Sequence, residues 1–406
     1  MRAFLEIVGL EIRSLVRSRT AALLLVASVG WMFALPHIVV GDGTAEGLRE
    51  LSVRYSLGGA FVLTLVSLLA SACGSVARER TEKRLMLTLV RPARHALVAL
   101  GKIVAHVALG AAVLGVSALI LLFREDASRP CSHVLSPVLP TPAEEAALAY
   151  EDYMKSPRTP ESIKRADKAA VIRLLEQRAI DRYETIGTNE TAVWRFSEGG
   201  ERVRMRFTNQ YEMRQTLLGE FASGGNRLGV SNVTQNVIAF DFRSDGELKF
   251  VNRGKTSLML RPRRDINVLR RADSFVWNLL RAYLQLVAVL SMVISFGTLL
   301  SCGLGRPVAL FTAFSILAVA EMGPSVVEQY PSSMDMSRAD RVGLAITRTA
   351  ASVTRPVSAF SPLESLAKDE CIEIGELATV LAIDLGLLPV MLSLLSSFML
   401  IRKTND

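Results

Sequence analysis

Residues Thr20–Val40, TAALLLVASVGWMFALPHIVV, contain no Asp, Glu, Lys or Arg. At about 1.5 Å of helical rise per residue, such a run crosses a hydrocarbon core about 30 Å thick. Further runs meet the same requirement: Ser56–Ala77, Ile103–Phe123, Val276–Leu300, the short Pro307–Gly323, and Leu377–Ile401, which carries one acid, Asp384. Composition agrees. Of the 406 residues, 50% are hydrophobic and 21% charged, and mean hydropathy is +0.32, against about 25% charged residues in an ordinary soluble domain. So apolar a chain is not a disordered one. With 4 cysteines there is no disulfide-built scaffold, and none falls in a CxxC or Cys/His metal spacing. The net charge of +8 would point to nucleic acid only as a folded basic patch. Here the basic residues flank apolar runs, which points to a lipid bilayer and away from nucleic acid. The expected fold class is a membrane α-helical protein with six transmembrane helices.

Positive charge in short flanking segments stays cytoplasmic. Arg2, Arg13, Arg17 and Arg19 precede the first run, and Arg78, Arg80, Lys83, Arg84, Arg91, Arg94 and Lys102 separate the second from the third. Arg306 lies between the fourth and fifth, and Arg402 and Lys403 follow the sixth. Gly41–Tyr55, between the first and second, sets Arg49 and Arg54 against Asp42, Glu46 and Glu50. The bias predicts a multi-pass protein of the cell (inner or plasma) membrane with both termini cytoplasmic. In 1–19, Phe4, Ile7, Val8, Ile12, Leu15 and Val16 make one apolar stripe among arginines. That spacing predicts an amphipathic helix lying in the interface or packed on a partner. A cleaved signal peptide is disfavoured, because the charged lead is long and no clear small-x-small site precedes Gly41.

The expected organisation follows: 1–19 interfacial helix; 20–123 three spans with a cytoplasmic hairpin at 78–102; 124–275 an extracytoplasmic domain; 276–323 two spans; 324–376 an outer segment with short surface helices; 377–406 the last span and tail. Long loops translocate largely regardless of charge, so the arginines of 124–275 do not oppose this. Pro130, Pro137, Pro140, Pro142, Pro157 and Pro160 mark a linker, and 161–184 has a helical pattern. The stretch 192–262 is β-rich, with strands expected at Val193–Phe196, Arg202–Thr208, Leu217–Phe221, Asn236–Arg243, Leu248–Asn252 and Ser257–Arg261. Turn signals at Glu198–Gly200, Ser223–Asn226 and Ser244–Glu247 separate them. Alternation in Arg202–Phe207 puts Val203, Met205 and Phe207 on one face and three arginines on the other, as in an antiparallel sheet with one wet face. The inserted domain is expected to be α+β, with a small antiparallel β-sandwich.

Few residues invite chemistry. Gly254-Lys255-Thr256 lacks the first glycine of a phosphate loop, since Lys249 stands there. It reads as a turn, so the chain is expected to be no ATPase itself. His106, near the inner end of the third run, and Asp384, inside the sixth, are candidate polar positions on a transport path. Their structural readings are a hydrogen bond to a neighbouring helix for His106 and a helix cap or wet cavity for Asp384. Arg281 is placed to snorkel. Cys131 and Cys371 are the two cysteines outside the runs, so a bridge between them is one option. No GxSxG, HExxH or paired-carboxylate pattern supports a hydrolase, and neither a catalytic residue, a metal site nor a cofactor is expected.

Glu79–Lys102, ERTEKRLMLTLVRPARHALVALGK, is the informative stretch. Charged residues come first, then the apolar Leu85–Val90, then Arg91-Pro92, then a helix running into the third span. A short helix ending before Pro92 follows from the steric effect of proline on the residue before it. An amphipathic helix between two spans suits docking to a soluble partner, or lying on lipid. The stretch resembles the coupling region of ABC transporter permeases of the ABC-2 type: Glu79, Glu82, Leu85, Leu87, Leu89, Arg91-Pro92, Arg94 and Gly101-Lys102 follow the same order. Lys83-Arg84 stands where the family usually has Gly-Thr. The resemblance implies a permease subunit of an ATP-driven exporter that pairs with itself or a related chain. A separate ATP-binding cassette subunit would press on the hairpin. At the outer mouth the inserted domain could bind substrate or hand it to an extracytoplasmic partner. The competing reading is a membrane-anchored extracytoplasmic sensor or binding module without transport activity.

Overall fold

The structure, a computed structural model, describes residues 2–40, 45–81, 95–156, 159, 163, 168–180, 184–206, 208–209, 217–232, 237–329, 343 and 362–405. Two compact units are present: a helical one drawn from Met1–Pro130, Asp273–Val327 and Ala339–Asp406, and a sheet-bearing one built chiefly from Cys131–Ala272.

The helical unit contains α1 (Arg2–Arg17), α2 (Thr20–Ile38), α3 (Ala45–Thr81), α4 (His95–Arg124), α5 (Phe275–Gly303), α6 (Arg306–Gln329), α7 (Pro362–Ala367), α8 (Ile374–Val380) and α9 (Leu388–Asn405). Between α8 and α9 the helix widens into a π-helical segment, Leu381–Leu387. Among the described residues, 5 helical stretches are long and apolar enough to cross a membrane: Ala21–Ile38, Gly47–Glu79, Ala96–Arg124, Phe275–Gly303 and Ile374–Leu400. The run expected at Pro307–Gly323 falls in α6, whose apolar stretch among the described residues, Arg306–Ala318, is shorter than these.

The amphipathic start folds as α1 and packs on α4 of its own chain. Ile7, Val8, Glu11 and Ile12 are half-buried and Leu15 is buried, whereas Val16, expected in the stripe, faces out. The helix breaks where Arg19 takes a left-handed φ of 59° and the Ser18 hydroxyl donates to the Leu15 carbonyl at 2.7 Å. Pro36 lies inside α2 and has no N–H, so the Met32 carbonyl lacks its helical donor. Arg124 Nη1 supplies one at 3.0 Å, and its Nη2 donates to Ser52 Oγ at 3.0 Å. Trp31 lies against Gly59 so closely that a Cβ there would sit 2.0 Å from the indole nitrogen.

Helix α5 is buried continuously from Gln285 to Ser295. A helix apolar on all sides belongs in the middle of a bundle, and α3, α4, α7, α8, the π segment and α9 all pack on it. Near its start Asn278 donates to the Glu370 carbonyl at 2.7 Å and accepts the Ile372 N–H at 2.9 Å. Arg281 donates to the Ile372 carbonyl at 3.2 Å and the Asp273 carboxylate at 2.6 Å. Toward the other end Ser301 Oγ accepts the N–H groups of Val76 and Ala77, both at 3.1 Å. An ion-pair group ties α3 to the segments after α4 and α7: Arg49 reaches Glu125 and takes Asp369 bidentately at 2.9 and 3.0 Å, and Arg129 meets Asp369 at 3.1 Å.

The sheet-bearing unit starts with β1 (Pro130–Leu135), followed by helices Pro142–Lys155 and Lys168–Ile180. The first helix occupies part of the expected linker. Thr141 and Glu144 close a capping box around it, with Glu144 N–H on Thr141 Oγ1 at 3.2 Å and Thr141 N–H on Glu144 Oε2 at 2.8 Å. The remaining strands are β2 (Glu184–Ile186), β3 (Thr191–Arg195), β4 (Gly200–Arg206), β5 (Thr208–Asn209), β6 (Leu217–Ser223), β7 (Asn226–Asn232), β8 (Val237–Ser244), β9 (Glu247–Asn252), β10 (Leu258–Leu260) and β11 (Ile266–Ser274). They form sheets ordered β1-β11-β4-β8, β2-β10-β5 and β3-β9-β6-β7. The expected sandwich counted fewer strands; the stretch expected as one strand at Arg202–Thr208 falls on β4 and β5, and β1, β2, β7 and β11 are additional. One core serves all three sheets, with Ile186, Trp194, Met205, Phe221, Phe250 and Ile266 among its members. Val203 and Met205 are buried as their alternation requires, while Phe207 lies outside the described residues. The β6–β7 hairpin turns through Gly224 and Gly225 at φ of 52° and 87°, values that glycine adopts without a Cβ penalty.

Candidate coupling junction

Helix α3 runs on as far as Thr81 and α4 begins at His95. Of the proposed coupling residues, Glu79, Gly101 and Lys102 are described; Glu82, Leu85, Leu87, Leu89, Arg91, Pro92 and Arg94 lie outside the described residues. The described three meet at one place. Lys102, 3% exposed, projects from α4 and donates to Glu79 Oε1 on α3 at 2.7 Å and to Glu11 Oε2 on α1 at 3.0 Å. An ammonium carries three donors and no acceptor, so two carboxylates use most of its capacity. Such charge-assisted bonds are the strong ones. Glu79 Oε2 is buried too, with no hydrogen bond.

Gly101 explains how α1 comes so near. A Cβ at this position would stand 2.7 Å from Ile7 Cγ2 and 3.8 Å from Val8 Cγ2. Only a glycine lets the apolar stripe of α1 lie directly on the backbone of α4. The Gly-Lys pair thus combines a contact without a side chain and a buried cation in adjacent positions.

One turn further, His106 is fully buried. Its Nδ1 is 2.8 Å from the Lys102 carbonyl and its Nε2 3.1 Å from Ser71 Oγ. A carbonyl only accepts, so Nδ1 carries a proton, and Nε2 shares the second hydrogen bond with the Ser71 hydroxyl. His106 therefore bridges α4 to α3, the structural alternative weighed from sequence. Asp384 stands in the π-helical segment, fully buried, and both its oxygens lack a hydrogen-bond partner. No hydrogen bond joins it to the Lys102 junction.

Sequence reasoning passed over Glu11. The signal was present, because Glu11 is one turn from Ile7 and one from Leu15 and so interrupts the buried stripe. An acid on such a stripe calls for a buried cation. Gly254-Lys255-Thr256 is a turn held by Asn252, whose amide donates to the Ile186 and Thr256 carbonyls at 3.1 and 2.8 Å and accepts from Gly254 N–H at 2.9 Å. Cys131 and Cys371 are disulfide-bonded, Cys73 is a buried thiol, and the buried Cys302 thiol donates to the Thr298 carbonyl at 3.3 Å. Among the described residues no three His, Cys, Asp or Glu side chains converge as a metal site would require. No family model, curated protein or solved structure matches this chain.

Proposed function

We propose that this chain is the membrane-spanning permease subunit of an ATP-driven exporter of the ABC-2 type, coupled to a separate ATP-binding subunit through the hairpin 78–102. In this reading α6 completes six spans, both termini are cytoplasmic, and the sheet-bearing unit is an extracytoplasmic insertion. The chain pairs with itself or with a related permease. The observation that carries the proposal is the buried Lys102 bridge. It clamps both ends of the hairpin, Glu79 and Gly101-Lys102, to the N-terminal helix at Glu11. Force applied to residues 82–94 would reach α1, α3 and α4 together, as a rigid-body mechanism needs.

Co-purification from native membranes tests this. The chain should bring down a protein with ATP-binding activity, and replacing Leu85–Val90 by alanine should release it while the chain remains folded. Recovery of the chain with no ATP-binding protein under mild extraction refutes the coupling, as does an undiminished complex after the alanine replacement. A second reading, an anchored extracytoplasmic binding module, draws on the sheet-bearing unit having a hydrophobic core of its own. It expects ligand binding by that unit and no ATP-binding companion.

A further inference from the structure

Away from the Lys102 junction, the helical unit holds another buried ionisable group. Asp384 is fully buried, and neither carboxyl oxygen has a hydrogen-bond partner. It stands ten residues beyond Ile374, where α8 begins just after Ile372, the residue that Asn278 pins to the start of α5; at about 1.5 Å per residue that is about 15 Å of helix. That depth is near the middle of an apolar core about 30 Å thick. The backbone there is π-helical from Leu381 to Leu387, a widening that is rare and frequent at functional sites where it does occur. Helix α5, packed against this segment, holds a second orphan: Gln285 is 2% exposed and neither of its amide atoms is paired.

An ionised carboxylate without a partner is not stable in such surroundings; it takes up a proton instead. Among the described residues, the charged and titratable groups on the elements packed against the segment offer it no counter-ion. Arg281 of α5 is engaged by Asp273 and the Ile372 carbonyl, and Tyr283 donates to the Ala111 carbonyl at 3.0 Å. On α8 the titratable group is Glu376, of the wrong sign; among the residues of α9 whose side chains are described, Leu388–Leu400, there is none.

We propose that Asp384 is a proton-binding site: its carboxyl is neutral while the π-helical segment rests on α5, and it yields its proton to water when the two separate. The carboxylic O–H breaks, the carboxylate remains in the opened cleft, and water carries the proton away. Repacking takes the proton back. This rests on the permease reading only for what drives the opening; proton binding itself needs no companion subunit.

Dicyclohexylcarbodiimide provides the test, because it reacts with protonated carboxyls in apolar surroundings. The full chain in native membranes is treated across a pH series and the adduct located by peptide mass spectrometry. Asp384 should be labelled, with a fall of about tenfold or more between about pH 5 and about pH 9. No adduct on Asp384 at any pH overturns the proposal, as does labelling indifferent to pH. Protection by sodium at constant pH also overturns it, since that assigns a metal cation. Asp384→Asn, which imitates the neutral acid, should keep the thermal midpoint within a few degrees; a large loss shows that the ionised form was structurally required and overturns the proposal independently of labelling. Labelling uses this chain alone, so its failure is distinct from failure to recover an ATP-binding companion.

Discussion

Replacing Lys102 by methionine tests the junction most directly. The change keeps length and apolar volume while removing the ammonium. Two charge-assisted bonds disappear, at 2.7 Å to Glu79 and 3.0 Å to Glu11. The carboxylates left behind are only 28% and 15% exposed, so water replaces the lost partner incompletely. Removing one member of a buried charge group costs about 3–5 kcal/mol; partial exposure of the two acids puts Lys102→Met near the low end of that range. The sign of the companion changes is also determined. Glu11→Gln or Glu79→Gln alone should cost less than Lys102→Met, because each leaves the cation one carboxylate. The triple variant Lys102→Met, Glu11→Gln, Glu79→Gln should be more stable than Lys102→Met alone, since no unpaired charge remains. Thermal unfolding of the purified chain in one detergent ranks the variants, and protease access to 1–19 reports release of α1. A Lys102→Met midpoint equal to wild type, or a triple variant no better than the single one, would refute the reasoning.

Gly101→Val should lift α1 from α4 at a cost of about 1–3 kcal/mol, seen as faster cleavage within 1–19 and a lower thermal midpoint. Arg124→Met deprives the Met32 carbonyl of its donor and should cost about 1–3 kcal/mol. Pro36→Ala should recover part of that loss by restoring the helical N–H, and the double-variant midpoint checks the coupling. Glu144 is held below the ordinary glutamate range by the Thr141 N–H and then the Thr141 hydroxyl interaction. Its capping contribution is complete above the ordinary glutamate pKa and disappears as pH falls through the lowered native value. The Glu144 carboxyl resonance should titrate below that of an unstructured glutamate, and Thr141→Ala, which removes the hydroxyl but keeps the backbone donor, should return it only part of the way.

The membrane helices were legible because excluding charge from long runs is a demand that lipid makes on every residue. The strands at 192–262 were legible wherever side chains alternated, as in Val203 and Met205. What escaped was set by partners distant in sequence. Ile266–Ser274 carries Arg270, Arg271 and Asp273 and reads as polar, yet its first residues pair with β4, from Ile266↔Met205 to Leu269↔Arg202. The helix Pro142–Lys155 was hidden by prolines, although Thr141 and Glu144 spelled its start. At the junction, Gly101 and Lys102 stood out by their spacing. Glu11 did not, because nothing near it in sequence shows the cation that it meets. Asp384 was conspicuous as an acid in an apolar run; its want of a partner became evident only in the packed helices.

The hydroxyls along α5 have a mechanical consequence. Ser295 and Thr298 bond back to the carbonyls of Ser291 and Ile294, so these groups offer nothing to adjoining helices. Polar anchors to other segments instead sit toward the two extremities, Asn278, Arg281 and Tyr283 at one and Ser301 at the other. Neighbours can shear past the midsection without breaking those hydroxyl bonds, while the tethers limit how far they travel. The bundle is thus slippery at its waist and fastened at its rims.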